Sequence, residues 1–103
     1  MNEKKFLKAV EVEGKTKFKL EEIIEISKKV IEGFSDEYEL DTESVVYNKS
    51  FYITEEPVWC VDTIPILNKK FWPDEYETLI ISDITGKAIC IINSHGVAHE
   101  IKK

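Results

Sequence analysis

The chain has 103 residues, with 14 basic side chains against 20 acidic ones, a net charge of −6 and a pI near 5.0. Every basic residue is a lysine, so no bidentate arginine clamp can be built, and the acidic balance argues against binding nucleic acid or an anionic membrane. A composition 43% hydrophobic and 33% charged is that of one ordinary folded domain spanning residues 1–103, not of a disordered chain.

No apolar run follows the N-terminal Met1, Asn2 and Glu3, so no signal peptide is expected, and no stretch approaches the ~18 apolar residues of a membrane span. A cytoplasmic location follows as the expectation. In a reducing compartment Cys60 and Cys90 read as buried thiols rather than a disulfide framework, although a bridge across the sheet remains open.

In chain order, residues 6–12 suit a strand carrying Phe6, Val10 and Val12 on one face, and Glu13, Gly14 and Lys15 suit a turn. Thr16, Phe18 and Leu20 then alternate with lysines, as a second short strand or an extended entry to a helix. The helix itself is predicted over residues 20–32. Leu20, Ile23, Ile24, Val30, Ile31 and Phe34 recur at spacings of three and four, and glutamates crowd the first half while Lys28 and Lys29 close the second. Glu25 and Lys29 form a favourable i,i+4 pair, and Gly33 is placed to end the helix in a left-handed cap.

Residues 35–44 read as a polar loop holding Asp36, Glu37, Glu39, Asp41 and Glu43. From Val45 the period becomes two, with Val45, Tyr47, Phe51 and Ile53 on one face, until Glu55, Glu56 and Pro57 end the strand. Residues 58–64, 76–83 and 88–92 are three further runs rich in β-branched and aromatic residues. The last two are joined by a turn at Asp83, Ile84, Thr85 and Gly86, in which the Asp83 side chain is expected to cap the turn and Gly86 to accept positive φ. Residues 65–74 are too irregular for a strand and too short for a helix, and 97–101 form a short tail. One amphipathic helix ahead of an antiparallel sheet of about four to five strands, on which it packs, makes an α+β fold.

Few residues suggest chemistry. His95 and His99 are the only histidines, and on a strand their spacing separates the rings by about 13 Å, so no metal site is expected. Glycines at 14, 33, 86 and 96 alone cannot build a phosphate loop, a nucleophile elbow or a dinucleotide fingerprint. No cofactor, no catalytic residue and no enzymatic activity are therefore expected. Carboxylates such as Asp83 and the Glu55–Glu56 pair sit at turns, where water keeps them solvated. Trp59 reads as core, whereas Phe71 and Trp72, large aromatics beside lysines on an irregular segment, have the composition of an interface anchor.

The pair of stretches Trp59-Cys60-Val61 and Leu79-Ile80-Ile81-Ser82-Asp83-Ile84-Thr85-Gly86-Lys87-Ala88-Ile89 resembles the second half of PepSY-type and other cystatin-like modules. In that pattern a helix precedes a strand beginning Trp-x-Val and a hairpin reading Asp-x-Thr-Gly-Lys. The likeness spans roughly residues 20–92 and implies a regulatory or protease-inhibitory module. The chain departs from it in that no leader is expected here, and in the long segment at 65–74. Its size, charge and layout are also similar to those of small bacterial immunity proteins, which are acidic and bind a toxin.

The expected function is therefore binding to a basic protein partner, in its sharpest form a toxin domain neutralised by an immunity-type inhibitor. Asp36, Glu37, Glu39, Asp41, Glu43, Glu55 and Glu56 would supply the charge, and Phe71 and Trp72 the apolar anchor. A third possibility is a small-ligand or enzymatic pocket lined by Tyr47, Tyr52, Trp59 or His95.

Overall fold

A computed structural model describes residues 6–33, 38–51, 53–66, 76–93 and 96–100. Among the described residues six strands lie in sequence order in one antiparallel sheet, β1 (Phe6–Lys8), β2 (Tyr38–Asn48), β3 (Val58–Pro65), β4 (Glu77–Ser82), β5 (Ala88–Ile92) and β6 (Ala98–Glu100). A helix of 13 residues, α1 (Leu20–Glu32), the one α-helix among the described residues, packs on one face. The class is α+β as expected, with more strands than the four to five foreseen. The outermost two, β1 and β6, are three-residue strands at either end of the sheet.

The helix forms where the apolar spacing places it. Ile23 and Ser27 are fully buried against the sheet, and Leu20, Ile26 and Val30 flank them. Ser27 sits at the centre of that stripe because its hydroxyl donates to the Ile23 carbonyl (2.8 Å), so a small polar residue is buried with its donor satisfied. Opposite lie Trp59, Val61, Leu79, Ile81, Val45 and Tyr47, the last stacked edge-on against Trp59 at 5.2 Å. Gly33 ends the helix at φ −83, not in the left-handed cap expected, and its N–H donates to Val30 O. Glu25 pairs with Lys28 (3.6 Å), one residue short of the expected Lys29. No helix among the described residues is long and apolar enough to cross a membrane.

Two expected strands change shape, the second at both of its ends. The first ends at Lys8, after which Ala9–Val12 tighten into a 3-10 turn held by the Lys8 N–H donating to Glu11 Oε2 (2.7 Å). Val12 is thereby driven into the core while Val10 points into water. The second corrects the polar-loop reading, since β2 already begins at Tyr38. Charged residues with poor strand propensity pair there with β3, as Glu39 does with Ile64 and Asp41 with Asp62.

At its far end the same strand stops at Asn48, whose Oδ1 takes the Ser50 N–H (3.1 Å). Phe51 and Glu56 then close a loop through the Phe51 N–H to the Glu56 carbonyl. Phe51 consequently joins Val58, Cys60, Ile80 and Cys90 on the face away from α1, not Val45 and Tyr47, and Ile53 is exposed.

Within β2 the register slips. From Asp41 to Val46 the strand advances five positions while β3 moves only two, from Asp62 to Cys60, leaving three residues extra. An odd insertion reverses the alternation of faces. Leu40 before the bulge and Val45 and Tyr47 after it all point toward the helix. The bulge supplies its own hydrogen bonds: Ser44 Oγ donates to the Asp41 carbonyl (2.9 Å), the Glu43 N–H donates to Asp41 Oδ1 (3.1 Å), and Ser44 Oγ accepts the Asp62 N–H (3.4 Å).

Candidate functional site

The acidic residues singled out above divide between the two ends of the sheet. At the end where β2 begins, Glu39, Asp41 and Glu43 are all exposed. Glu39 and Asp41 share the face away from α1, because they lie opposite Ile64 and Asp62 in the pre-bulge register. Glu55 and Glu56 lie beyond the other end, past Asn48 and Val58, roughly 20 Å away along the strand direction. Glu55 is exposed in a left-handed conformation (φ 59), while Glu56 is partly buried and accepts the Ser82 hydroxyl (2.7 Å). The structure thus brings the β2 carboxylates together and sets the Glu55–Glu56 pair apart. Asp36, Glu37, Phe71 and Trp72 lie outside the described residues.

Asp62 is the carboxylate that composition alone did not single out. It is half-buried on β3, directly across from Asp41, and accepts the Thr78 hydroxyl from β4 (3.0 Å). Burial raises its pKa first and the facing Asp41 charge adds to it, against the lowering effect of the Thr78 hydrogen bond. Like charges on directly opposed strand positions are unfavourable, and the three-residue bulge beside Asp41 leaves this pair at the last regular register position.

Asp83 corrects the expectation of a solvated turn carboxylate most sharply. It is only 5% exposed. Its Oδ2 accepts the Lys17 N–H (3.0 Å), and its Oδ1 accepts the Phe18 N–H (3.1 Å) and Trp59 Nε1–H (3.0 Å). The turn is capped instead by Ser82, whose Oγ accepts from the N–H groups of Ile84 and Thr85, while Gly86 adopts φ +73 as foreseen. Asp83 therefore ties the segment before α1 to the β4–β5 turn and sets where the helix starts. It is a positioning residue for the fold, with all its donors from the chain itself.

The alternative pocket loses two of its four lining residues to the core. Tyr47 and Trp59 are packed under α1, and burial, with a smaller contribution from Asp83, raises the Tyr47 pKa; Tyr52 and His95 lie outside the described residues. His99 is exposed on β6 near Asn93, at 3.5 Å from Nε2 to the amide nitrogen. Cys60 and Cys90 both lie opposite Ile80, one on each side, so they are two strand spacings or about 10 Å apart and unbridged. Burial pushes the Cys60 thiol up to about 12 and raises that of Cys90. Among the described residues no three His, Cys, Asp or Glu side chains are grouped to hold a metal ion.

The site is therefore an acidic strand end on an antiparallel sheet, with no convergence of reactive groups among the described residues. No known protein family matches this chain, and no curated protein or solved structure is significantly similar to it.

Proposed function

We propose that this chain is a non-enzymatic protein-binding domain, acting in the cytoplasm as an immunity-type inhibitor of a basic toxin domain. The observation that carries the reading is the exposed carboxylate row Glu39, Asp41 and Glu43 on one strand end of a chain carrying net charge −6. Such a row attracts a basic surface over a distance of about a Debye length and raises its association rate. The titratable groups buried in the described residues favour the same reading. Two thiols held protonated and a carboxylate fully hydrogen-bonded to backbone and indole are structural groups, not nucleophiles or proton carriers.

The layout of one helix packed on one face of an antiparallel sheet supports a cystatin-like label. A PepSY-like regulatory or protease-inhibitory module is the second reading. The helix-before-hairpin order and Trp59 anchored beneath α1 favour it.

The test is capture of a partner from the native host at low salt, with the native chain and with a variant carrying Glu39→Gln, Asp41→Asn and Glu43→Gln. The reading expects a basic protein that is released by salt and lost from the variant. Equal retention by both chains overturns it.

A further inference from the structure

The bulge in β2 is anchored on both sides. On one side the ladder to β3 resumes at Val46, and Val45 is buried in the core beneath α1. On the other the Tyr38 hydroxyl reaches across β3 and donates to Glu77 Oε1 on β4 (2.7 Å), clasping the start of the strand. Between these anchors Thr42 and Glu43 are exposed, Ser44 is half-buried, and residues 42–45 hold no register position opposite β3. The bulge is tied to β3 by the Asp62 N–H donating to Ser44 Oγ at 3.4 Å, a long bond, whereas the Glu43 N–H and the Ser44 hydroxyl bond back to Asp41 within β2. A segment with little buried apolar surface and weak outward bonds opens locally at low cost.

We infer that residues 41–44 form a proton-controlled latch on β3, closed while Asp62 carries a proton and opening when Asp62 and Asp41 are both ionised. The two carboxylates occupy directly opposed strand positions, whose Cβ atoms lie about 5 Å apart. The other groups around Asp62 are Glu39, one step along β2 opposite Ile64, the exposed Glu43 of the bulge, the Thr78 hydroxyl on β4 and the Cys60 thiol on its own strand. Closed, an ionised Asp62 is half-buried beside a like charge; open, both carboxylates return to water. Burial first, with a smaller push from Asp41, accordingly raises the folded-state pKa of Asp62 against the lowering effect of its bonds to Thr78 and Ser44. The sign follows by linkage. The closed form is fully favoured below the ordinary carboxylate range, and the open fraction grows as pH rises through the folded value. Opening displaces Asp41 and Glu43 relative to Glu39, so release of one proton reshapes the acidic row. The latch goes beyond the partner-binding reading and stands without it, because its test needs no partner.

The test is native-state hydrogen exchange followed by NMR across pH, read as protection relative to the intrinsic rate of each amide. The Asp62 amide reports the latch, since its bond spans the bulge, and the amides of Ile80 and Cys90 in the central ladder serve as controls. The latch expects protection at Asp62 to fall by about threefold or more from the carboxylate range to neutral pH, while Ile80 and Cys90 keep theirs. Asp62→Asn cannot ionise and is expected to hold the amide at position 62 equally protected throughout. Asp41→Asn removes the smaller of the two causes and is expected to leave a reduced fall. Protection independent of pH in the native chain, a fall shared by Ile80 and Cys90, a fall that persists in Asp62→Asn, or one that Asp41→Asn leaves undiminished overturns the latch.

Discussion

Trp59 Nε1 donates to Asp83 Oδ1 at 3.0 Å, joining the centre of the core to a turn 24 residues further along the chain. The same carboxylate holds the main chain of Lys17 and Phe18, so a single side chain links β3, the β4–β5 turn and the approach to α1. Charge-assisted hydrogen bonds of this kind are strong, and a donor left buried without one is costly.

Asp83→Ala is accordingly expected to lower stability by about 3 kcal/mol, read from urea denaturation midpoints. Asp83→Asn keeps one acceptor oxygen and is expected to lose less, while Trp59→Phe removes one donor for about 1 kcal/mol. If Asp83→Ala loses no more than the exposed control Glu25→Gln, the central role given to this carboxylate is wrong.

Gly86 tests the same junction from the other side. A Cβ at this position meets the Phe18 ring at 2.6 and 2.9 Å, and its φ of +73 disfavours any other residue. Gly86→Ala is expected to cost about 1–3 kcal/mol. Gly14→Ala, at φ +79 with open space around it, incurs the backbone part alone. A double-mutant cycle with Phe18→Ala separates the two contributions, since the collision disappears when the ring is removed. Strict additivity in that cycle would falsify the contact.

How much of this was legible follows from where each signal resides. The helix and the strands β3, β4 and β5 show in the sequence because their apolar residues repeat at 3.6 or form β-branched runs that need no distant partner to be recognised. The start of β2 does not show, because Glu39, Asp41 and Glu43 are exposed and look like a loop until β3 supplies the ladder. Asp83 looked like a turn former for a related reason. The N–H groups it accepts lie 65 and 66 residues away, a separation at which local patterns carry no information. The division of the acidic residues between two ends of the sheet is likewise a matter of register, which periodicity leaves open.

Asp62 predicts a pH dependence of definite sign. Its folded-state pKa is raised, so the native state binds the extra proton. The stability from that proton is present at low pH and is lost as pH rises from the ordinary carboxylate range through the folded value. Asp62→Asn is expected to stabilise the protein near neutral pH and to remove the part of the slope that lies above the ordinary carboxylate range. Urea melts across the range, wild type against variant, decide it; parallel curves with no offset at neutral pH count against the assignment.

The thiols predict a difference between native and unfolded protein. With Cys60 and Cys90 buried and their pKa values raised, a thiol reagent at neutral pH is expected to label neither in the native state on the timescale that labels both in denaturant. Mild oxidation of the native protein is expected to leave the monomer mass free of any loss of two hydrogens, because Ile80 stands between the two sulfurs. An internal disulfide formed without unfolding contradicts the strand order.

The slip in β2 also governs which changes of length this chain tolerates. Three inserted residues act as a parity inverter, letting one strand feed the helix-covered core from even-numbered positions before it and odd-numbered ones after it. Removing or adding a single residue at 42–45 turns Leu40 outward to water and rotates Asp41 beneath the helix, whereas changing the count by two preserves both. Related chains that diverge in length at this point should therefore do so in steps of two.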